Sequence, residues 1–188
     1  MGKIWITSDL HFHHNKPFIY KARGFNSIDE HDYILWHNWQ SYVHPDDDVY
    51  ILGDLMLNDK EKGRQTLASL NGHLHIAIGN HDSNSKIEIY KTLPNVVEVE
   101  YAYRLKYKKW KFYLTHYPSE VGFIADCPAG VPNKKVWNLC GHWHTDYKYI
   151  EMESNKRIYH VEPEAHDYRP VLLEEIIADI ESFYEISY

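Results

Sequence analysis

The 188 residues carry a formal net charge of −7 and two cysteines. That balance disfavours long-range attraction to extended nucleic acid and excludes a disulfide-stapled scaffold, while fitting a reducing compartment. No apolar run approaches the roughly 18 residues of a membrane span, and Met1-Gly2-Lys3-Ile4-Trp5-Ile6 lacks the pattern of a signal peptide, so a cytoplasmic chain with no membrane partner is expected.

The length suits one domain over residues 1–188, large enough to bury roughly 70% of the surface that its unfolded form exposes. Lys3 to Ser8 reads as a short buried strand that delivers Asp9 and His11 at its carboxyl end. After the loop His13-His14-Asn15-Lys16-Pro17, Phe18 to Arg23 is expected to make a turn of helix. Ser27-Ile28-Asp29-Glu30 matches a capping box, so a helix should start there, with Ile34, Leu35, Trp39 and Tyr42 as its apolar stripe, and stop at Pro45. Val49 to Leu52 is a second strand leading into Gly53-Asp54. Lys60 to Leu70 is a second helix closed by Asn71-Gly72. Leu74 to Ile78 is a third strand emptying into Gly79-Asn80-His81-Asp82, and a third helix spans Ser85 to Leu93. This alternation predicts a mostly parallel α/β sheet with its site at the carboxyl edges of the strands.

The second half has a different rhythm. Val96 to Val99, Tyr103 to Tyr107 and Phe112 to Thr115 read as a β-meander with a hairpin turn at Lys108-Lys109-Trp110, ending in His116. After an irregular stretch from Ser119 to Asn133, Val136 to Leu139 ends in Gly141-His142-Trp143-His144. Strands near Tyr147 to Met152 and Arg157 to Val161 precede Tyr168-Arg169-Pro170-Val171. A final amphipathic helix carries Ile176, Ile177, Ile180 and Phe183.

Five strand ends therefore stop in residues that ligate metals. Singly, Asp9, Asn80 or His116 reads as a cap or a satisfied polar residue; the repetition changes the odds. Carboxylates, imidazoles and one amide oxygen, with no thiolate, suit Mn, Fe, Zn, Co or Ni. Asp9, His11, Asp54, Asn80, His116, His142 and His144 are too many for one ion and divide as two ions sharing a carboxylate. Two ions about 3.5–4 Å apart clamp a phosphoryl group and lower the pKa of a bridging water, the chemistry of phosphoester hydrolysis.

In this order the residues resemble the calcineurin-like metallophosphoesterases, whose pattern is D-x-H, G-D, G-N-H-[DE], H and G-H-x-H. The resemblance spans Asp9 to His144. It implies a four-layer α/β/β/α sandwich and two divalent ions, Mn²⁺ foremost. Asp9, His11, Asp54 and His144 would hold one ion, and Asp54, Asn80, His116 and His142 the other, with Asp54 bridging and a metal-bridging hydroxide as the attacking group. His81 is similar to the family's non-ligand histidine, which stabilises phosphate or protonates the leaving oxygen, and Asp82 would orient it. Gly53-Asp54 is not followed by Asp-Arg-Gly and the third motif ends in Asp82, which disfavours phosphoprotein phosphatases and diadenosine tetraphosphate hydrolases. The compact length looks more like bacterial, archaeal and phage phosphodiesterases.

Around this centre, His14 from the first loop and Arg23 are candidate substrate contacts, beside the less specific Arg64 and Arg169. Tyr117 and Trp143 flank ligands, with packing as their default role. The expected activity is hydrolysis of a phosphodiester, in a nucleotide or another small phosphorylated substrate. Alternatives are a nuclease acting on short or single-stranded nucleic acid, a phosphomonoesterase, or a non-catalytic scaffold, which the complete ligand set and His81 disfavour.

Overall fold

Side-chain alternation along the first three strands sets the layers. β1 (Ile4–Thr7), β2 (Asp48–Leu52) and β3 (His73–Ala77) lie side by side in parallel. Trp5, Val49, Ile51, Leu74 and Ile76 enter one core with Leu35, Trp39, Leu67 and Tyr90. Ile6, Leu52 and Ala77 enter a second, with Phe112, Leu114, Leu139 and Tyr159. A period of two thus divides each strand between two cores, which is why these segments read as continuous apolar runs. The computed structural model describes residues 2–119, 136–148 and 157–186, the last four by backbone alone.

The helices of the first half are α1 (Pro17–Tyr20), α2 (Ile28–Tyr42), α3 (Lys60–Ala68) and α4 (Asn84–Tyr90). Ser27 caps α2 by accepting from the Glu30 amide at 3.1 Å. Glu30 does not close the box on Ser27; its carboxylate takes the Asn26 amide at 2.8 Å, one residue earlier. Asp59 caps α3, accepting from the amides of Glu61 and Lys62.

The expected meander is corrected. β4 (Val96–Glu100) pairs in parallel with β3, whereas β5 (Ala102–Tyr107) and β6 (Trp110–Thr115) form an antiparallel hairpin in a different sheet. The reason lies in α4, which carries the chain over the sheet so that the following strand returns parallel to β3. Only Tyr101 separates β4 from β5, so the change of sheet takes place at one residue.

β7 (Val136–Cys140) and β8 (Ile158–His160) extend the hairpin in parallel, and β9 (Val171–Leu172) runs antiparallel to β1. The sheets are ordered β4-β3-β2-β1-β9 and β5-β6-β7-β8. α5 (Leu173–Ile186) sends Ile176 and Ile180 into the second core. Two sheets flanked by helices are the α/β/β/α architecture expected from the sequence. Among the described residues no helix is long and apolar enough to cross a membrane. The expected strand near Tyr147 to Met152 and the stretch from Ser119 to Asn133 lie largely outside the described residues, as do Cys127 and the Phe183 side chain.

Candidate metal centre

Every motif sits where a strand ends. Asp9 and His11 follow β1, Gly53-Asp54 follows β2, Gly79 to Asp82 follow β3, His116 follows β6, and Gly141 to His144 follow β7. Backbone hydrogen bonds continue the ladders into the loops: Asp9 N donates to Gly53 O at 2.9 Å, His11 N to Asp54 O at 3.0 Å, and Gly141 N to His116 O at 3.0 Å. Bonds also cross between the sheets, among them His142 N to Asp9 Oδ2 at 2.9 Å and His116 Nδ1 to the Leu52 carbonyl at 2.8 Å.

The loops turn sharply at the ligands themselves. Asp9, His11, Asp54, His142 and His144 all have positive φ, between 48° and 80°. Left-handed backbone is uncommon outside glycine, and it clusters where surrounding structure holds a functional group in place. Neighbouring glycines are demanded by space. A Cβ on Gly79 would lie 2.2 Å from Asp54 Oδ1, and one on Gly141 would lie 2.1 Å from Asp9 Oδ2.

The seven predicted ligands come together. Asp9, His11, Asp54 and His116 are buried, and His142 and His144 are half-buried at the open side with exposed Asn80. Donor atoms of Asp9, His11 and His144, and of Asp9, Asp54 and His116, form two groups that could hold a metal ion, with all atoms of a group within 4.8 Å of one another. Asp54 Oδ2 is 3.8 Å from His11 Nε2 and 3.7 Å from His116 Nε2, which puts it between the two halves. Asp9 belongs to both groups, whereas Asp54 belongs to the second alone.

Whether the residues fit a cation is decided by their lone pairs. His116 donates through Nδ1, so its Nε2 carries a lone pair, which faces Asn80 Oδ1 at 2.8 Å. His11 Nε2 faces His144 Nε2 at 3.1 Å. Asp9 Oδ1 is buried with no hydrogen-bond partner. Burial pushes the Asp9 carboxyl up to about 6 and raises that of Asp54, and it lowers the pKa of His11. Acceptors aimed at acceptors, around carboxylates taken out of water, call for positive charge between them. The donor set fits divalent cations.

Asp82 has a different job from the one expected. Its carboxylate accepts from the Asp54 amide at 2.8 Å, the Gly79 amide at 2.9 Å and the Tyr90 hydroxyl at 2.7 Å. It therefore fastens the turn and Asp54 rather than the His81 ring. The His81 amide donates to Asp54 Oδ1 at 2.8 Å, and Lys86 Nζ donates to the His81 carbonyl at 2.7 Å. The imidazole itself is 46% exposed, with Nε2 3.9 Å from Asp54 Oδ2.

The expected substrate contacts turn inward. His14 is buried behind His11, with Nδ1 3.3 Å from His11 Nδ1, and burial lowers its pKa to about 4. Acceptance by neutral His14 from His11 Nδ1–H would leave His11 Nε2 for a metal. The Arg23 side chain is 1% exposed and donates to Glu164 Oε1 at 2.8 Å and the Asp9 carbonyl at 2.7 Å. It is a framework cation, since its fork is spent on protein acceptors. Arg64 pairs with Glu61 on an exposed helix, and Arg169 pairs with Glu175. Tyr117 and Trp143 are exposed beside the centre, Tyr117 with its ring 4.6 Å from that of His142. Sequence reasoning missed Glu164, whose approach to His144 is made by a short 3₁₀ turn, Pro163–Ala165.

Two helix-flanked sheets carry D-x-H, G-D, G-N-H-D, H and G-H-x-H at their carboxyl edges, the arrangement that the sequence's resemblance to the calcineurin-like metallophosphoesterases implies. No family model matches the chain. The uncharacterized protein MJ1445 of Methanocaldococcus jannaschii is 31% identical over 186 residues, spanning 96% of this chain and 93% of its own. The Gene 66 protein of Mycobacterium phage L5 is 34% identical over 86 residues, 44% of this chain and 41% of the phage protein. Among solved structures, the protein of unknown function AQ665 from Aquifex aeolicus shares the fold, with a TM-score of 0.66 at 20% identity over 95% of this chain and 99% of that one.

Proposed function

We propose that this protein is a metal-dependent phosphoesterase that hydrolyses a phosphodiester, in a nucleotide or another small phosphorylated molecule. In this reading Asp9, His11, Asp54, Asn80, His116, His142 and His144 hold two divalent ions, Mn²⁺ foremost. The observation that carries it is the convergence of lone pairs on an open-faced cradle, with Asp54 Oδ2 3.8 Å from His11 Nε2 and 3.7 Å from His116 Nε2. Bound ions supply Lewis acidity toward phosphoryl oxygens and a nucleophile at neutral pH.

The chain's own contribution to the chemistry is His81. Its backbone is held by Asp54 on one side and Lys86 on the other, while its ring stays open to solvent. Such a ring stabilises a phosphate oxygen or gives a proton to the leaving oxygen, an effect of about 10²–10⁴-fold for general acid catalysis. The inward turn of Arg23 favours a diester over a monoester, because a monoester brings about −1.5 to −2 charges and a diester one.

The test is Mn²⁺-dependent hydrolysis of bis(p-nitrophenyl) phosphate beside p-nitrophenyl phosphate, with His81→Ala as control. Preference for the diester, reduced about 10²–10⁴-fold in His81→Ala at unchanged Mn²⁺ content, is expected. Monoester preference rejects the diester assignment, and unchanged turnover in the variant rejects the role of His81.

A further inference from the structure

The two halves of the centre are backed differently. Behind His116 stands a neutral peptide group, the Leu52 carbonyl 2.8 Å from Nδ1. Behind His144 stands a carboxylate, Glu164 Oε1, 3.1 Å from Nδ1. Arg23 Nε donates to that same oxygen at 2.8 Å. One terminal nitrogen of Arg23 donates to the Asp9 carbonyl at 2.7 Å, and the other meets His31 Nε2 at 2.8 Å. His31 Nδ1 in turn donates to Asp32 Oδ1 at 2.8 Å, and His13 Nδ1 lies 3.0 Å from Asp32 Oδ2. The Glu164, Arg23 and His31 side chains are 12%, 1% and 0% exposed. An ordered charge network thus reaches one metal half.

This network decides the state of His144. Its Nε2 points at Asp9 Oδ1 at 3.5 Å and at His11 Nε2 at 3.1 Å. A lone pair there requires the proton on Nδ1, and Glu164 is placed to accept it. Arg23 Nη2 places one of its two hydrogens on the Asp9 carbonyl; the other lies toward the same Nδ1 at 3.2 Å and can be accepted only in the opposite tautomer, which the Glu164 carboxylate opposes. A carboxylate behind a ligating imidazole fixes its tautomer and raises its basicity, and losing such a partner typically costs 10–100-fold in metal affinity.

We propose that Glu164, gripped by Arg23, is a positioning residue that locks His144 as an Nε2 ligand and makes the Asp9–His11–His144 half the tighter of the two metal positions. This rests on the metal-centre reading above. Neither residue touches substrate in it; both act through His144 and the Asp9 backbone.

The experiment is isothermal titration of metal-free protein with Mn²⁺, wild type against Glu164→Gln, which keeps the shape and removes the charge. Wild type is expected to bind in two phases, and Glu164→Gln to weaken the tighter phase 10–100-fold while sparing the looser one. Because the variant leaves the Arg23 charge unpaired and tests folding as well, a second measurement uses the intact wild type. Long-range ¹H–¹⁵N spectra of the Zn²⁺-loaded protein are expected to show His144 protonated at Nδ1. Equal weakening of both phases, no weakening, or a proton on Nε2 overturns the role of Glu164. Failure of wild type to bind Mn²⁺ at all overturns the metal reading beneath it.

Discussion

Gly141 is held by contacts on its empty side: a methyl group there would sit 2.1 Å from Asp9 Oδ2 and 2.4 Å from Ser8 Oγ. Asp9 is fully buried and already accepts from His142 N, so it has nowhere to go. Gly141→Ala is expected to cost about 1–3 kcal/mol of stability through overpacking and to weaken Mn²⁺ binding, read by denaturant unfolding and calorimetric titration. A second residue sets a pH dependence. His166 is buried, its Nε2 donates to the His160 carbonyl at 2.8 Å, and burial holds its pKa at about 4. The unfolded chain, with a histidine pKa near 6.5, takes up the proton first. Its contribution is therefore complete above about pH 6.5 and falls by about 3 kcal/mol as the pH drops toward 4. In chelator, the loss of stability between these pH values is expected to be shallower in His166→Gln, which keeps a donor and does not titrate. The ligands were legible because each lies beside its strand and glycine in sequence. Arg23, Asp82 and Glu164 were not, because their partners are chosen by three-dimensional approach: Arg23 meets a carboxylate 141 residues away, and no local pattern distinguishes that arginine from Arg64 on the surface.

Among the elements, α2 gives the clearest test of sequence logic. Ser27 Oγ takes one of the four free amides at the start of the helix, at Glu30. Ser27→Ala is expected to lower stability by about 1 kcal/mol, seen as a shift in the denaturant midpoint at unchanged slope. The other half of the box failed because Asn26 offers both its amide and its side chain to Glu30, at 2.8 and 3.0 Å. The strands show a comparable boundary between legible and hidden. β1, β2 and β3 announce themselves by apolar runs between turn residues, and their parallel order follows from the helices between them. β4 and β5 look alike and stand one residue apart, yet they belong to different sheets. Their own periodicity is the same in either arrangement; the side of the molecule from which the crossover helix delivers the chain decides it.

For the molecule as a whole, the seven proposed ligands on five strand ends would make metal and stability interdependent. An ion that binds the folded chain and not the unfolded one adds about 2.7 kcal/mol at a concentration 100 times its dissociation constant. At this chain length that is a rise in melting temperature of about 5–10 °C. Thermal scans with Mn²⁺ and with excess EDTA are expected to differ by about that much. Equal melting temperatures contradict metal binding by the native state. The chain fold was readable at this scale because the motif order resembles that of a known family, whereas the layering of the second half depends on pairings between strands far apart in sequence.

The ligands divide by sheet: Asp9, His11, Asp54 and Asn80 hang from β1, β2 and β3, and His116, His142 and His144 from β6 and β7. Filled with ions, the centre would be a rivet driven through the seam between two sheets whose strand ladders are separate. Its grip has a lifetime, set by how long an ion stays before it dissociates. Such a rivet would oppose sliding of one sheet past the other for as long as the ion stayed.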